Sequence, residues 1–167
     1  MPSVRIDKNL NSEIYFLTFT VKNWYYVFDR HNRFEILAES IRYYQKHKGL
    51  KLFAYVFMLN HLHLIANSSD MIGFVRDFKS YTSREIQRNI IAFEPDVLQL
   101  FEVEKGKYEL WQKTNMPKMI ESATFFQQKM DYIEENPVRK QYVEKPEHWF
   151  WSSANPHSAI KIDELEA

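Results

Sequence analysis

Between residues 51 and 66 the chain carries two apolar stretches separated only by Leu59-Asn60. Lys51-Leu52-Phe53-Ala54-Tyr55-Val56-Phe57-Met58 and His61-Leu62-His63-Leu64-Ile65-Ala66 each have the length and composition of a strand, and so short a break makes them a hairpin. In a strand, residues i and i+2 share one face. His61 and His63 therefore project the same way, while Leu62 and Leu64 point into the core. Two imidazoles side by side on a scaffold strand can hold a metal ion, provided that another part of the chain supplies a further ligand and a reactive group.

The flanking segments set the fold class. Residues 13–21 are β-branched and aromatic nearly throughout and read as a first strand. Phe34, Leu37, Ile41 and Tyr44 have the spacing of an amphipathic helix over 33–47, with Gly49 as its stop. A second helix runs from a cap at Ser69 or Asp70 to about Asn89, on the apolar positions Ile72, Val75, Phe78 and Ile86. After the break at Glu94-Pro95-Asp96, residues 105–112 read as a fourth strand. A last helix over 121–135 is expected to end before Asn136-Pro137, because proline restricts the residue preceding it. The order β-α-β-β-α-β gives an α+β, ferredoxin-like antiparallel sheet with helices on one face, followed by a C-terminal helix. Residues 1–137 are expected to form a single domain, and 138–167 a tail rich in Trp, Pro and charge that packs on it or extends from it.

Composition narrows the function. Glycine occurs only 3 times, which excludes phosphate-cradling glycine loops and the nucleotide cofactors they bind. Cysteine is absent, so neither disulfides nor thiolate metal sites are available, and a reducing cytoplasm suits the chain. Met1-Pro2-Ser3-Val4-Arg5 is too polar for a signal peptide, and no apolar run approaches the roughly 20 residues that span a bilayer. With 22 basic and 22 acidic residues the net charge is zero, so a nucleic-acid partner would need a local basic face.

The last helix holds the second informative stretch, Met130-Asp131-Tyr132-Ile133-Glu134-Glu135-Asn136-Pro137. Tyr132 and Asn136 are four residues apart and lie on one helical face, about 6 Å from each other. If that face lies against the histidine strand, Asn136 adds an oxygen ligand to the two imidazoles and Tyr132 stands within reach of the metal. The combination points to a tyrosine nucleophile beside a Lewis-acid cation, with a phosphodiester as a suitable electrophile. Alone, His-x-His is more often simple packing, and Asn-Pro a simple helix stop.

Met58-Leu59-Asn60-His61-Leu62-His63-Leu64 resembles the Met-Pro-Asn-His-Val-His motif of the single-tyrosine HUH transposases, in which U is a hydrophobic residue. Tyr132-Ile133-Glu134-Glu135-Asn136-Pro137-Val138-Arg139 is similar to the Tyr-Ile-x-x-Asn-Pro-Val-Arg motif of their REP-associated branch. The likeness runs from Phe16–Thr20 through Leu110-Trp111-Gln112 to Trp149-Phe150-Trp151-Ser152-Ser153, and the two motifs stand in the right order about 70 residues apart. Leu59 departs from the pattern, occupying the place usually held by proline outside the ligand set.

The resemblance implies that His61, His63 and Asn136 bind Mg²⁺ or Mn²⁺ and that Tyr132 attacks single-stranded, hairpin-forming DNA. The products would be a 5′-phosphotyrosine link and a free 3′-hydroxyl that can reverse the reaction and rejoin strands. The ligand chemistry by itself would sooner suggest zinc or another transition ion, since Mg²⁺ prefers oxygen; the family decides for Mg²⁺ or Mn²⁺. Relatives act as monomers or as homodimers with the tyrosine helix crossing between subunits. Two other readings compete: a domesticated relative that grips hairpin DNA without cutting, and a metal-dependent phosphodiesterase that uses water. For DNA contacts, the basic positions Arg76, Lys79, Arg84 and Arg88 with Lys105, Lys107 and Lys113 are expected to line a groove, and Trp111 or Tyr81 to stack on unpaired bases. Trp149 and Trp151 are assigned to a packed tail.

Overall fold

The computed structural model describes residues 5–166. The first four residues, which make up most of the stretch read against a signal peptide, and residue 167 lie outside the described range. The elements are β1 (Ile14–Thr20), α1 (Arg33–Lys48), β2 (Lys51–Phe57), β3 (His61–Asn67), α2 (Met71–Phe93), β4 (Glu102–Glu104), β5 (Lys107–Tyr108), β6 (Lys118–Met119) and α3 (Ala123–Arg139). Four strands form an antiparallel sheet in the order β2-β3-β1-β6. This is the ferredoxin-like arrangement expected from the order of elements.

Alternation along the strands separates two cores. Tyr15, Leu17 and Phe19 of β1 join Leu62, Leu64 and Ala66 of β3 on one face, under α1 and α2. Phe16 and Ile65 turn to the other face, where they meet Ile133 of α3. The two-helix layer and the tyrosine helix therefore sandwich the sheet. Every strand residue has a defined side, because a slip of one residue would exchange the faces.

The helices end for local reasons. Asp70 caps α2 through an acceptor oxygen 2.9 Å from the Gly73 amide. A Cβ at residue 73 would meet Asp70 Oδ2 at 2.2 Å, so only glycine leaves room for that cap. Gly49 closes α1 in the left-handed region at φ 69°, its amide donating to the Tyr44 carbonyl. Past Asn89, α2 continues four residues to Phe93, where Glu94 and Pro95 stop it.

Two expectations are corrected. Residues 105–112 are not the fourth strand of the main sheet: Lys107–Tyr108 pair with Glu102–Glu104 in a separate two-stranded sheet. The partner of β1 is instead an interrupted edge. The Lys22 amide donates to Leu110, that of Gln112 to Thr20, and that of Thr18 to Asn115, before β6 pairs with Phe16 and Tyr15. Met116 at φ 44° and Pro117, which has no amide proton, break that edge.

The last helix also passes through Asn136-Pro137 to Arg139. Burial of Ile133, Asn136 and Pro137 on the sheet outweighs the pre-proline preference so close to the helix end. Helix α3 occupies the face opposite α1 and α2, the face to which His61 and His63 were expected to project.

After α3 the chain returns along β2. The Phe57 amide donates to the Trp151 carbonyl, Ser153 to Tyr55, and Asp163 to Leu52, while Ile160 enters the larger core. The tail thus covers a strand edge that would otherwise carry unpaired amides.

Candidate active site

The register of β1 and β3 builds the site floor. Thr18 lies opposite His63, and Thr20 opposite His61, so all four side chains share the α3 face. His63 is 4 % exposed. Its ring stacks on Phe16 at a centroid distance of 5.2 Å and 18°. Its Nδ1 lies 2.9 Å from Thr18 Oγ1, and the Nδ1 of His61 lies 2.7 Å from Asn60 Oδ1. An amide oxygen can only accept, so His61 donates through Nδ1 and presents a bare Nε2. The Thr18 hydroxyl can accept in the same sense, and Nε2 of His63 is buried and, among the described residues, has no hydrogen-bond partner.

Electrostatics keep both rings neutral. Burial, with a smaller contribution from Lys140, pushes the pKa of His61 down to about 4. Burial pushes His63 well below the ordinary imidazole value, helped by His61, Lys129 and Arg139. Neutral imidazoles whose other nitrogen is already oriented are what a metal ion requires. The rings stand 5.0 Å apart between centroids.

From α3, Tyr132 leans over this floor. Its ring centroid is 5.3 Å from that of His63, edge to face, and 5.9 Å from that of Phe16. The residue is 41 % exposed, whereas Asn136, one turn later, is 3 % exposed. Both line one cavity of about 250 Å³ with His61 and His63. The expected grouping of two histidines, asparagine and tyrosine is therefore present within one chain. Among the described residues no cluster of three His, Cys, Asp or Glu side chains could hold a metal ion, and the other oxygen-bearing side chains at the histidine pair include Asn136, Thr20 and Tyr132.

The residues around Tyr132 include cations that the sequence reading passed over. The Arg139 guanidinium carbon is 4.5 Å from the centre of the tyrosine ring, and Lys129 Nζ is 5.3 Å from it. Arg139 also donates to the Tyr132 carbonyl at 2.7 Å. Lys140 lines the cavity itself. The signal was available: 129, 132, 136 and 140 follow helical spacing, and three of them flank or carry the tyrosine motif.

The expected DNA-binding set fares differently. Arg76, Lys79 and Lys113 line a cleft of about 630 Å³ with Arg5 and Lys8, but Arg76 pairs with Asp77 at 3.1 Å. Lys79 donates to the carbonyls of Gln112 and Lys113, which makes it a strut for the edge segment. Arg88 pairs with Glu85, Arg84 is exposed, and Tyr81 lines a separate cavity with Tyr43 and Tyr44. Lys105 and Lys107 sit exposed on the small β4–β5 sheet. None of these residues lines the cavity of Tyr132, because α2 packs on the other face of the sheet. Trp111 is corrected outright. It is 6 % exposed, packs against Phe19, Phe28 and Phe78, and donates its indole N–H to Thr82, so it has no free face for a base.

Comparison with known proteins bears on the fold and the family. Among curated protein sequences none matches the chain. Among solved structures, the REP-associated tyrosine transposase bound to a REP hairpin superposes with a TM-score of 0.62 at 21 % identity, covering 92 % of this chain and 82 % of that one. A candidate transposase from Deinococcus radiodurans R1 gives a TM-score of 0.49 at 19 % identity, covering 83 % and 97 %. The first of these shares the fold. Among the described residues, no helix is long and apolar enough to cross a membrane. The model of the family described as "Transposase IS200 like" matches residues 10–145, a span that contains the histidine pair, Tyr132 and Asn136, and the chain belongs to that family.

Proposed function

We propose that this transposase cuts and rejoins single-stranded, hairpin-forming DNA through a 5′-phosphotyrosine on Tyr132, with Mg²⁺ or Mn²⁺ held by His61, His63 and Asn136. The observation that carries the reading is the edge-to-face packing of Tyr132 on His63 in the same chain, over a cavity that also receives His61 and Asn136. The donor set fits a cation: a buried Nε2 without a partner, a second Nε2 freed by Asn60, and an amide. When bound, the ion would polarise a phosphate oxygen and offset the charge that builds during attack.

The remaining work falls to the chain. The Tyr132 oxygen attacks phosphorus and the bond from phosphorus to the 3′-oxygen breaks, leaving a free 3′-hydroxyl and a phosphodiester to tyrosine. Arg139 and Lys129 place positive charge beside a phenol that must shed its proton to attack. Rejoining reverses the same exchange, so no nucleotide cofactor is needed. The hairpin is proposed as substrate because the structurally similar transposase was solved bound to a REP hairpin.

Incubating the protein with a labelled hairpin oligonucleotide and Mn²⁺ is expected to give a denaturation-resistant protein–DNA band that Tyr132→Phe abolishes. Cutting that survives in Tyr132→Phe would identify a water-using phosphodiesterase. Binding without cutting under any metal would identify a hairpin binder.

A further inference from the structure

The cavity of Tyr132 has a second wall that neither the histidines nor α3 explain. After β1 the chain makes a 3-10 turn over Lys22–Trp24, with positive φ at Asn23 and Trp24, 59° and 56°. Large side chains rarely adopt that conformation without something to hold them there. Here the holder is Asn60, whose side-chain amide donates to the Trp24 carbonyl at 3.0 Å, while its backbone carbonyl accepts from Val21 at 2.9 Å. The outcome is that Trp24 is 64 % exposed and Tyr26 57 % exposed, both lining the same cavity as Tyr132.

The chemistry of that wall is selective. Among the described residues no carboxylate lines the cavity, and Lys140 is the one charged side chain that does. A volume of about 250 Å³, open to solvent on one side, is of the order of one unstacked base with its phosphate. Aromatic faces bind any base through stacking and do so without sequence preference. A folded chain ordinarily buries its tryptophans. Keeping Trp24 open, in a strained turn, beside a nucleophile, marks a ligand surface.

We propose that Trp24 and Tyr26 form a stacking subsite for the unpaired nucleobase that flanks the phosphodiester presented to Tyr132, with Lys140 facing its phosphate. This rests on the reading of the site as one that handles single-stranded DNA. Asn60 is the positioning residue that joins the two halves. Its amide N–H fixes the Trp24 turn, and its amide oxygen fixes the Nδ1 of His61. Seating the base and orienting one candidate metal ligand thus depend on a single side chain.

The test uses the full chain and two labelled oligonucleotides, a blunt hairpin and the same hairpin with a single-stranded 5′ extension. The extended hairpin is expected to quench the emission of the exposed tryptophan, and Trp24→Leu to weaken its binding about tenfold while leaving the blunt hairpin and the melting temperature unchanged. Equal affinities of Trp24→Leu and the parent protein for the extended hairpin would overturn the subsite, even if the Tyr132 adduct forms. Quenching by the extension with no adduct under any metal would keep the subsite and overturn the phosphotyrosine reading instead. Failure of both oligonucleotides to bind the parent protein would overturn both.

Discussion

At the scale of single residues, the site is a set of hydrogen bonds that decide which nitrogen faces where. Thr18 reaches His63 Nδ1 from the neighbouring strand at 2.9 Å, and Asn60 reaches His61 Nδ1 at 2.7 Å. Partners of this kind orient a ligand and raise its basicity, and losing one commonly costs 10- to 100-fold in metal affinity. Thr18→Val keeps the β-branched shape on β1 and removes the hydroxyl. It is expected to weaken Mn²⁺ binding by about 10- to 100-fold in calorimetry with little change in far-UV circular dichroism. The His-x-His pair and the tyrosine were legible because their spacing fixes a face within one element. The partners were not, since Thr18 is 45 residues from His63 and only the strand register joins them. Trp111 failed as an expectation for a related reason: its residue type suits a stacking platform as well as a core, and only packing decides.

At the scale of elements, the strongly periodic segments were legible to within a few residues, and the weakly patterned ones were not. β1, β2, β3 and α1 fall almost where alternation and helical spacing put them. The edge strand was misplaced because β6 is two residues long, and its position is set by backbone pairing with β1. Pro137 misled for the opposite reason, as a strong local rule was overridden by burial of Ile133 and Asn136. That override matters to the site, because the helix must persist through Asn136 to hold its amide beside Tyr132. Gly73 gives an element-scale prediction. Alanine inside a helix normally stabilises relative to glycine by about 1 kcal/mol. At this position the new Cβ would displace the Asp70 cap, which contributes about 0.5–2 kcal/mol. The overlap at 2.2 Å adds a steric cost to the lost cap, so Gly73→Ala is expected to lower the melting temperature, and a clear rise would show that the cap contributes little.

At the scale of the whole molecule, opposite charges balance overall and are sorted locally. The cations near Tyr132 belong to α3 and its end, while Glu94 at the end of α2 draws two arginines to itself. Glu94 pairs with Arg30 at 2.6 Å and with the fully buried Arg33 at 2.9 Å. These partners, Arg30 first, hold its carboxyl below the ordinary value. The unfolded chain protonates Glu94 at about pH 4.3, before the folded chain does, so acid favours unfolding. The contribution is complete above that pH and disappears as the pH falls through the lower folded value. Glu94→Gln is expected to cost about 1–3 kcal/mol at pH 7 and to flatten the loss of stability below about pH 4.3, as measured by urea denaturation across pH. An unchanged slope would place the acid sensitivity elsewhere.

The central claim is that Tyr132 carries the DNA. The direct measurement is mass spectrometry of the protein after reaction with a hairpin oligonucleotide and Mn²⁺, followed by nuclease and protease digestion. The expected product is a peptide containing Tyr132 that bears a nucleotide through its 5′-phosphate, absent in Tyr132→Phe. Cleaved DNA with a free 5′-phosphate and an unmodified Tyr132, or a nucleotide on any other residue, would contradict it.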